Sequence, residues 1–218
     1  MFMKIEDIFD DYMTALLAGD RPECVRMVNA LIRQDTSVKD MYVNLFQKSM
    51  YEVGRLWEIS RISVATEHMC TSITESLVNL CYPLLFSGEH TGKKAVITCT
   101  PGEYHQIGAR MVADFFELYG WDGYFLGADT PTDDLVSYLN EKKPDLLAIS
   151  ISISFNMSIL QEMVQKTRDK FPELPIIAGG QGFRWGGENA LAHIEKTFVI
   201  KSLDELVSRF LTAHAHES

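Results

Sequence analysis

Apolar positions keep helical spacing through residues 1–87 and then give way to short apolar runs alternating with helical segments. Ile5, Ile8, Phe9, Tyr12, Met13, Leu16 and Leu17 share one face of a helix that Gly19 ends. Asp20 and Glu23 stand at capping-box spacing with Pro22 in the first turn, and Val25, Val28, Leu31 and Ile32 continue that second helix. Ser37 and Asp40 open a third, which carries Met41, Leu45, Met50, Val53 and Leu56. After a break at Ile59-Ser60-Arg61, a fourth is expected from about Ser63 to Leu85. The count and the short loops predict a four-helix bundle over 1–87. Residues 88–92, within the polar stretch Ser87-Gly88-Glu89-His90-Thr91-Gly92, read as a linker.

From residue 93 to 218 the expected strands are Ala95–Cys99, Gly123–Leu126, Leu146–Ser152, Pro175–Ala178 and Phe198–Ile200. The expected helices are Gln106–Tyr119, Thr132–Glu141, Met157–Lys170, Glu188–Ile194 and Leu203–Ala213, the last capped by Ser202 with Glu205. Five β–α units predict a five-stranded parallel sheet with right-handed crossovers, of flavodoxin-like (Rossmann-type) size. The fold class is therefore α/β, with an N-terminal four-helix bundle and a C-terminal parallel sheet.

Composition narrows the function. The net charge of −10, without a Lys/Arg cluster, argues against direct nucleic-acid binding. Cys24, Cys70, Cys81 and Cys99 lie inside apolar periodic segments with no CxxC spacing, which points to buried free thiols in a reducing compartment rather than a zinc site. The N-terminus carries acids early and does not read as a signal peptide, and no apolar run reaches the ~18 residues of a membrane helix. A cytoplasmic location is expected.

The candidate chemistry sits at strand ends. His105 lies on a loop after the first strand, in Gly102-Glu103-Tyr104-His105-Gln106-Ile107-Gly108. In open α/β sheets ligands bind at that edge. A carboxylate two residues before a loop histidine can hold one ring nitrogen and turn the other toward a metal, and Gly108 permits close approach. The same stretch is compatible with an N-cap loop whose histidine binds nothing. In the third strand, Ile149-Ser150-Ile151-Ser152-Ile153-Ser154 alternates where a buried parallel strand is normally continuously apolar. The serine side suits a slot for a polar, elongated group, or hydroxyls bonded to neighbouring backbone. Gly179-Gly180, with Gln181-Gly182 after them, and the loop Leu126-Gly127-Ala128-Asp129-Thr130-Pro131 each fit either ligand approach or a tight turn. There is no Walker loop and no GxGxxG, which disfavours a nucleotide site.

Glu103-x-His105-x-x-Gly108, then Ser150-x-Ser152, then Gly179-Gly180, resembles the cobalamin-binding domain of methionine synthase and its relatives. The resemblance covers about residues 1–215, the helical bundle matching the family's cap domain. It implies that His105 replaces the cofactor's dimethylbenzimidazole as lower cobalt ligand, and that the displaced nucleotide tail enters a slot beside Ser150, Ser152 and Ser154, near Gly179 and Gly180. Two departures stand out. Glu103 replaces the family's Asp, so its pairing with His105 is expected to be longer or water-bridged. Ser152 replaces the usual Leu, which makes the slot wider or more polar.

In the cap, Trp57, Val64, Glu67 and His68 resemble the Trp-x9-Glu-His pattern of the adenosylcobalamin-dependent light-sensing repressors of the CarH type. In that family these residues surround the upper corrin face and the adenosyl group. Val64, Glu67 and His68 stand at i, i+3 and i+4, on one helical face. The family's cobalt-trapping histidine after the tryptophan is Glu58 here, a poor ligand for cobalt(III), with His68 as a conceivable substitute. The chain carries no segment matching the repressors' DNA-binding domain.

The resemblance implies a cobalamin-binding sensory module, light-responsive through adenosylcobalamin held base-off between cap and α/β domain, which signals through a protein partner or its own oligomeric state. Methylcobalamin is the other form it allows. A corrinoid carrier of a methyltransferase system is the alternative, and a bilin-binding photoreceptor of the same fold a further one. A response-regulator-like domain would need clustered acids at the first strand's end, which are missing. No acid/base or nucleophile–histidine pair suggests autonomous catalysis, so any chemistry would be the cofactor's.

Overall fold

A computed structural model describes residues 4–87, 89–184 and 186–212. The chain forms two compact units, Met1–Phe86 and Ser87–Ser218.

The first unit is helical. Helices α1 (Ile5–Ala18) and α2 (Arg21–Arg33) are separated by Gly19, whose left-handed φ of 73° ends α1. Asp20 Oδ1 accepts the Glu23 N–H, and Ser37 Oγ accepts the Asp40 N–H, so both expected caps form. Helix α3 (Val38–Asp40) runs through a π-helical stretch, Met41–Gln47, into α4 (Lys48–Glu58). The wide turns of that stretch bring adjacent pairs inward: Met41 with Tyr42, and Leu45 with Phe46, are all fully buried. Helix α5 (Val64–Cys81), capped by Ser63, is shorter than expected. It gives way to a 3₁₀ turn, Tyr82–Ser87, because Pro83 has no N–H to continue the α ladder.

The second unit is a five-stranded parallel sheet: β1 (Lys94–Cys99), β2 (Asp122–Phe125), β3 (Leu146–Ser150), β4 (Ile176–Gly179) and β5 (Thr197–Ile200), in the order β2-β1-β3-β4-β5. The connecting helices are α6 (Ile107–Leu118), α7 (Thr132–Lys142) and α8 (Met157–Lys170), and α9 (Leu203–Leu206) follows β5. Leu147, Ile149 and Ile151 pack with Leu160, Met163 and Val164 of α8 and with Leu135 and Leu139 of α7. Alternation along the strand directs Leu146, Ala148 and Ser150 to the opposite face. Residues 89–92 do not hang loose: Thr91 N–H donates to the Gly120 carbonyl at 2.7 Å, and His90 Nδ1 lies 3.3 Å from Asp122 Oδ1. Gly88 of the expected linker lies outside the described residues.

Three expectations change in this unit. The third strand ends at Ser150, not Ser152: the Ile151 N–H still donates to the Gly179 carbonyl, but the Ser152 and Ile153 amides turn away to a side chain described below. The helix expected over Glu188–Ile194 is only a 3₁₀ turn, Glu188–Ala190. Gly186 and Gly187 before it adopt φ of 103° and 95°, and Leu191 and Ile194 still reach the core. The last helix passes from α9 into a π-helical stretch, Val207–Leu211, and Ala213 lies outside the described residues.

Candidate functional site

The strand order reverses direction of growth between β1 and β3, which opens a crevice at their carboxyl ends. Cys99, Ser150, Gly179 and Ile200 stand in one row across that edge. The loop after β1 places Glu103 and His105 there. Glu103 is fully buried while the His105 side chain is half exposed.

Glu103 uses both carboxylate oxygens. Oε1 accepts the His105 backbone N–H at 3.0 Å and lies 2.6 Å from His105 Nδ1. Oε2 accepts the N–H groups of Ser152 at 2.9 Å and Ile153 at 3.0 Å. The expected longer or water-bridged pairing is therefore corrected: the extra methylene does not loosen the His105 contact, because it carries the second oxygen across to the β3 loop. Burial pushes this carboxyl up, but the His105 side-chain bond and the three backbone N–H bonds outweigh it and hold the pKa down at about 2. An ionised carboxylate only accepts, so Nδ1 donates the proton of this contact and Nε2 is the nitrogen turned away from Glu103. That is the arrangement of a metal-ligating histidine. Burial pushes the Cys99 thiol up to about 12, so it stays protonated.

The serines divide. Ser150 closes the strand, Ser152 is half-buried beyond it, and Ser154 is exposed at the start of a 3₁₀ turn, Ser154–Asn156. They do not share one side of a strand, since only Ser150 belongs to it. The glycines divide as well. A Cβ on Gly180, at φ 112°, would lie 2.3 Å from the Ile151 carbonyl oxygen, and one on Gly179 would lie 2.9 Å from that of Ile200. Both glycines are required by the chain's own backbone. A Cβ on Gly108 would meet only Ser150 Oγ, at 3.9 Å. The buried Thr100 Oγ1 has no hydrogen-bond partner among the described residues. Open space beside a serine, an orphaned hydroxyl and a carboxylate-oriented imidazole fit a cobalt-bearing group with a polar tail. His105, Ser150 and Gly108 would line its site.

In the helical unit, Trp57 is the penultimate residue of α4 and is 49% exposed, while Val64 opens α5 and is 53% exposed. Glu67 is mostly covered, and its Oε1 accepts from Thr71 Oγ1 at 2.9 Å. His68 is exposed, with Nε2 3.6 Å from Glu67 Oε2. Sequence reasoning missed Thr100, the amides of Ser152 and Ile153, and Asp129. For Asp129 a signal existed in its place two residues after Gly127 in a turn-rich loop.

Two models, both described as a B12 binding domain, match this chain, one over residues 93–205 and one over residues 8–82. The transcriptional repressor CarH of Myxococcus xanthus is 25% identical over 179 residues, which cover 80% of this chain and 58% of the repressor. The methanol–corrinoid protein of Methanosarcina barkeri is 22% identical over 168 residues, covering 76% of this chain and 64% of that protein. The chain thus spans less than two thirds of the length of these curated relatives. The monomethylamine corrinoid protein of Methanosarcina barkeri has the same fold, with a TM-score of 0.80 at 17% identity over 94% of this chain and 97% of that one. Among the described residues no helix is long and apolar enough to cross a membrane. With the matched domain covering residues 93–205 and the helical cap ahead of it, the chain belongs to the B12-binding family and is a cobalamin-binding protein.

Proposed function

We propose that this protein is a light-responsive cobalamin sensor that takes adenosylcobalamin base-off, with His105 Nε2 as lower cobalt ligand. The observation that carries the ligand reading is the 2.6 Å contact between His105 Nδ1 and the buried, ionised Glu103. It fixes the tautomer and raises the basicity of the opposite nitrogen. Gly108 and Ser150 make room for the displaced tail, with Ser152 and Gly180 nearby in the chain path. Trp57, Val64 and Glu67 would contact the adenosyl group, and His68 would be the substitute that replaces it on cobalt. The exposure of Trp57, Val64 and His68 supports this, as does the Trp-x9-Glu-His spacing. Bound adenosylcobalamin supplies a cobalt–carbon bond that visible light breaks. The chain's part is to hold the cofactor, orient it and pass the change to a partner or to a second copy. Four buried thiols suit the reducing cytoplasm.

A second reading is a corrinoid carrier that presents cobalt to two methyltransferase partners. It is favoured by Glu58, where the light-sensing repressors carry a histidine, and by the methanol–corrinoid protein among the relatives. Methylcobalamin is the form that reading calls for.

The test is an absorption spectrum of protein loaded with adenosylcobalamin in the dark, then illuminated with green light, with size-exclusion chromatography before and after. A coupled change in spectrum and assembly is expected for the sensor. Photolysis without a change in assembly, together with an equal preference for adenosyl- and methylcobalamin in Trp57→Ala and the unaltered protein, would replace it by the carrier. In His105→Ala the base-off spectrum should disappear.

A further inference from the structure

Asp129 has no place in the reading above, yet it grips the loop that carries His105. It follows β2 and adopts φ 49°, a left-handed conformation that costs any residue bearing a Cβ. Aspartate tolerates that conformation better than most residues when its carboxylate bonds within its own turn. Here the carboxylate instead reaches across to the β1 loop. Oδ1 accepts the Gly102 N–H at 2.7 Å, and the Tyr104 hydroxyl donates to Oδ2 at 3.3 Å. The Asp129 N–H donates to the Glu103 carbonyl at 3.1 Å. Three successive residues, ending immediately before His105, are thus bonded to one aspartate.

The geometry matters because of where the two straps run. Strand β1 lies between β2 and β3 in the sheet. Glu103 ties the His105 loop to the β3 side through Ser152 and Ile153. Asp129 ties the same loop to the β2 side. Glu103 holds the imidazole and the His105 amide from the β3 side, while Asp129 holds the three residues before His105 from the β2 side.

We propose that Asp129 is a positioning residue for cobalt ligation: it sets the position from which His105 Nε2 meets the metal. The inference rests on His105 being the lower ligand. Removing the carboxylate lets the loop drift, so the cofactor's own base competes better for cobalt. Loss of an outer partner of a metal-ligating histidine commonly costs about 10- to 100-fold in affinity.

The test uses full-length protein labelled with ¹⁵N-histidine and loaded with cob(II)alamin, read by electron paramagnetic resonance well below the unfolding temperature. Axial histidine ¹⁵N splits the cobalt signal into doublets, whereas the cofactor's unlabelled base nitrogen gives triplets. The unaltered protein should give doublets. Asp129→Gly relieves the left-handed backbone while deleting the carboxylate. Its ratio of histidine-bound to base-bound cobalt should fall about tenfold, with no loss of thermal stability. Asp129→Asn keeps an acceptor for Gly102 and should restore most of the doublet. A full doublet in Asp129→Gly, alongside its loss in His105→Ala, would overturn the positioning role alone. A doublet that survives in His105→Ala would overturn the ligand assignment and this inference with it.

Discussion

The Ile153 N–H donates to Glu103 Oε2 at 3.0 Å, which joins residues fifty apart in the chain into one site. The carboxylate thereby serves two loops at once, orienting His105 with one oxygen and ending the third strand with the other.

Shortening this side chain should separate the two tasks. In Glu103→Asp the carboxylate reaches either the imidazole or the Ser152 and Ile153 amides, and leaves the other partner unsatisfied. A buried donor without an acceptor costs about 1–3 kcal/mol. Urea denaturation at neutral pH should show a loss of that size, and an unchanged midpoint would contradict the two-loop role.

Acid should dissolve the same link. The Glu103 carboxyl is held at about 2 in the folded chain, against an ordinary value of 4.5. A depressed folded pKa contributes stability that is present in full above about 4.5 and is lost as pH falls toward about 2. The contribution is of the order of 3 kcal/mol. The stability gap between the unaltered protein and Glu103→Gln, measured from pH 6 downward, should narrow across that window. A gap constant with pH would refute it.

Two glycines should respond in opposite directions. Gly180→Ala forces a Cβ to 2.3 Å from the Ile151 carbonyl at φ 112°, and should cost more than about 2 kcal/mol. Gly54, inside α4, has nothing within 4 Å of where a Cβ would stand. Gly54→Ala should raise the stability of the cofactor-free protein by roughly 0.5–1 kcal/mol. Thermal unfolding of both variants checks the pair.

Arg168 closes the far end of the sheet. Its guanidinium donates to the carbonyls of Phe171, Pro172 and Leu174 after α8, and to that of Lys196 before β5. Arg168→Ala strands several carbonyls at once and should cost about 2–4 kcal/mol. Arg168→Lys should recover little of it, because a single ammonium cannot reproduce the planar fork. Recovery of most of the stability by lysine, in chemical denaturation, would count against this account.

Much of the architecture was legible because it is written locally. The caps at Asp20, Ser37 and Ser202 form where residue type and spacing place them, each within one turn of the amide it accepts. Apolar runs bounded by turn residues located all five strands to within one or two residues at each end, since strands buried on both faces of a parallel sheet are continuously apolar. The His105 loop was legible for the same reason, as a short polar break between a strand and a helix.

What stayed hidden depends on groups distant in sequence. The end of β3 could not be read from its alternating Ile and Ser, because two of its amides leave the ladder for a carboxylate on another loop. The segment expected as a helix over Glu188–Ile194 forms only one 3₁₀ turn, yet Leu191 and Ile194 are buried, so its apolar spacing reported burial in the tertiary core and not an α-helix.

By itself, the sequence determined a helical unit followed by a parallel sheet, and set the histidine at the sheet's carboxyl edge. Periodicity, capping and chain order are properties of neighbouring residues. The tertiary structure alone decided that Glu103 would span two loops, that Asp129 would hold the histidine's loop from the other side, and that the Ile151 carbonyl leaves no room for a Cβ at Gly180. Those relationships arise only when parallel crossovers bring distant loops to one edge, where a single methylene or Cβ decides which bonds can be made.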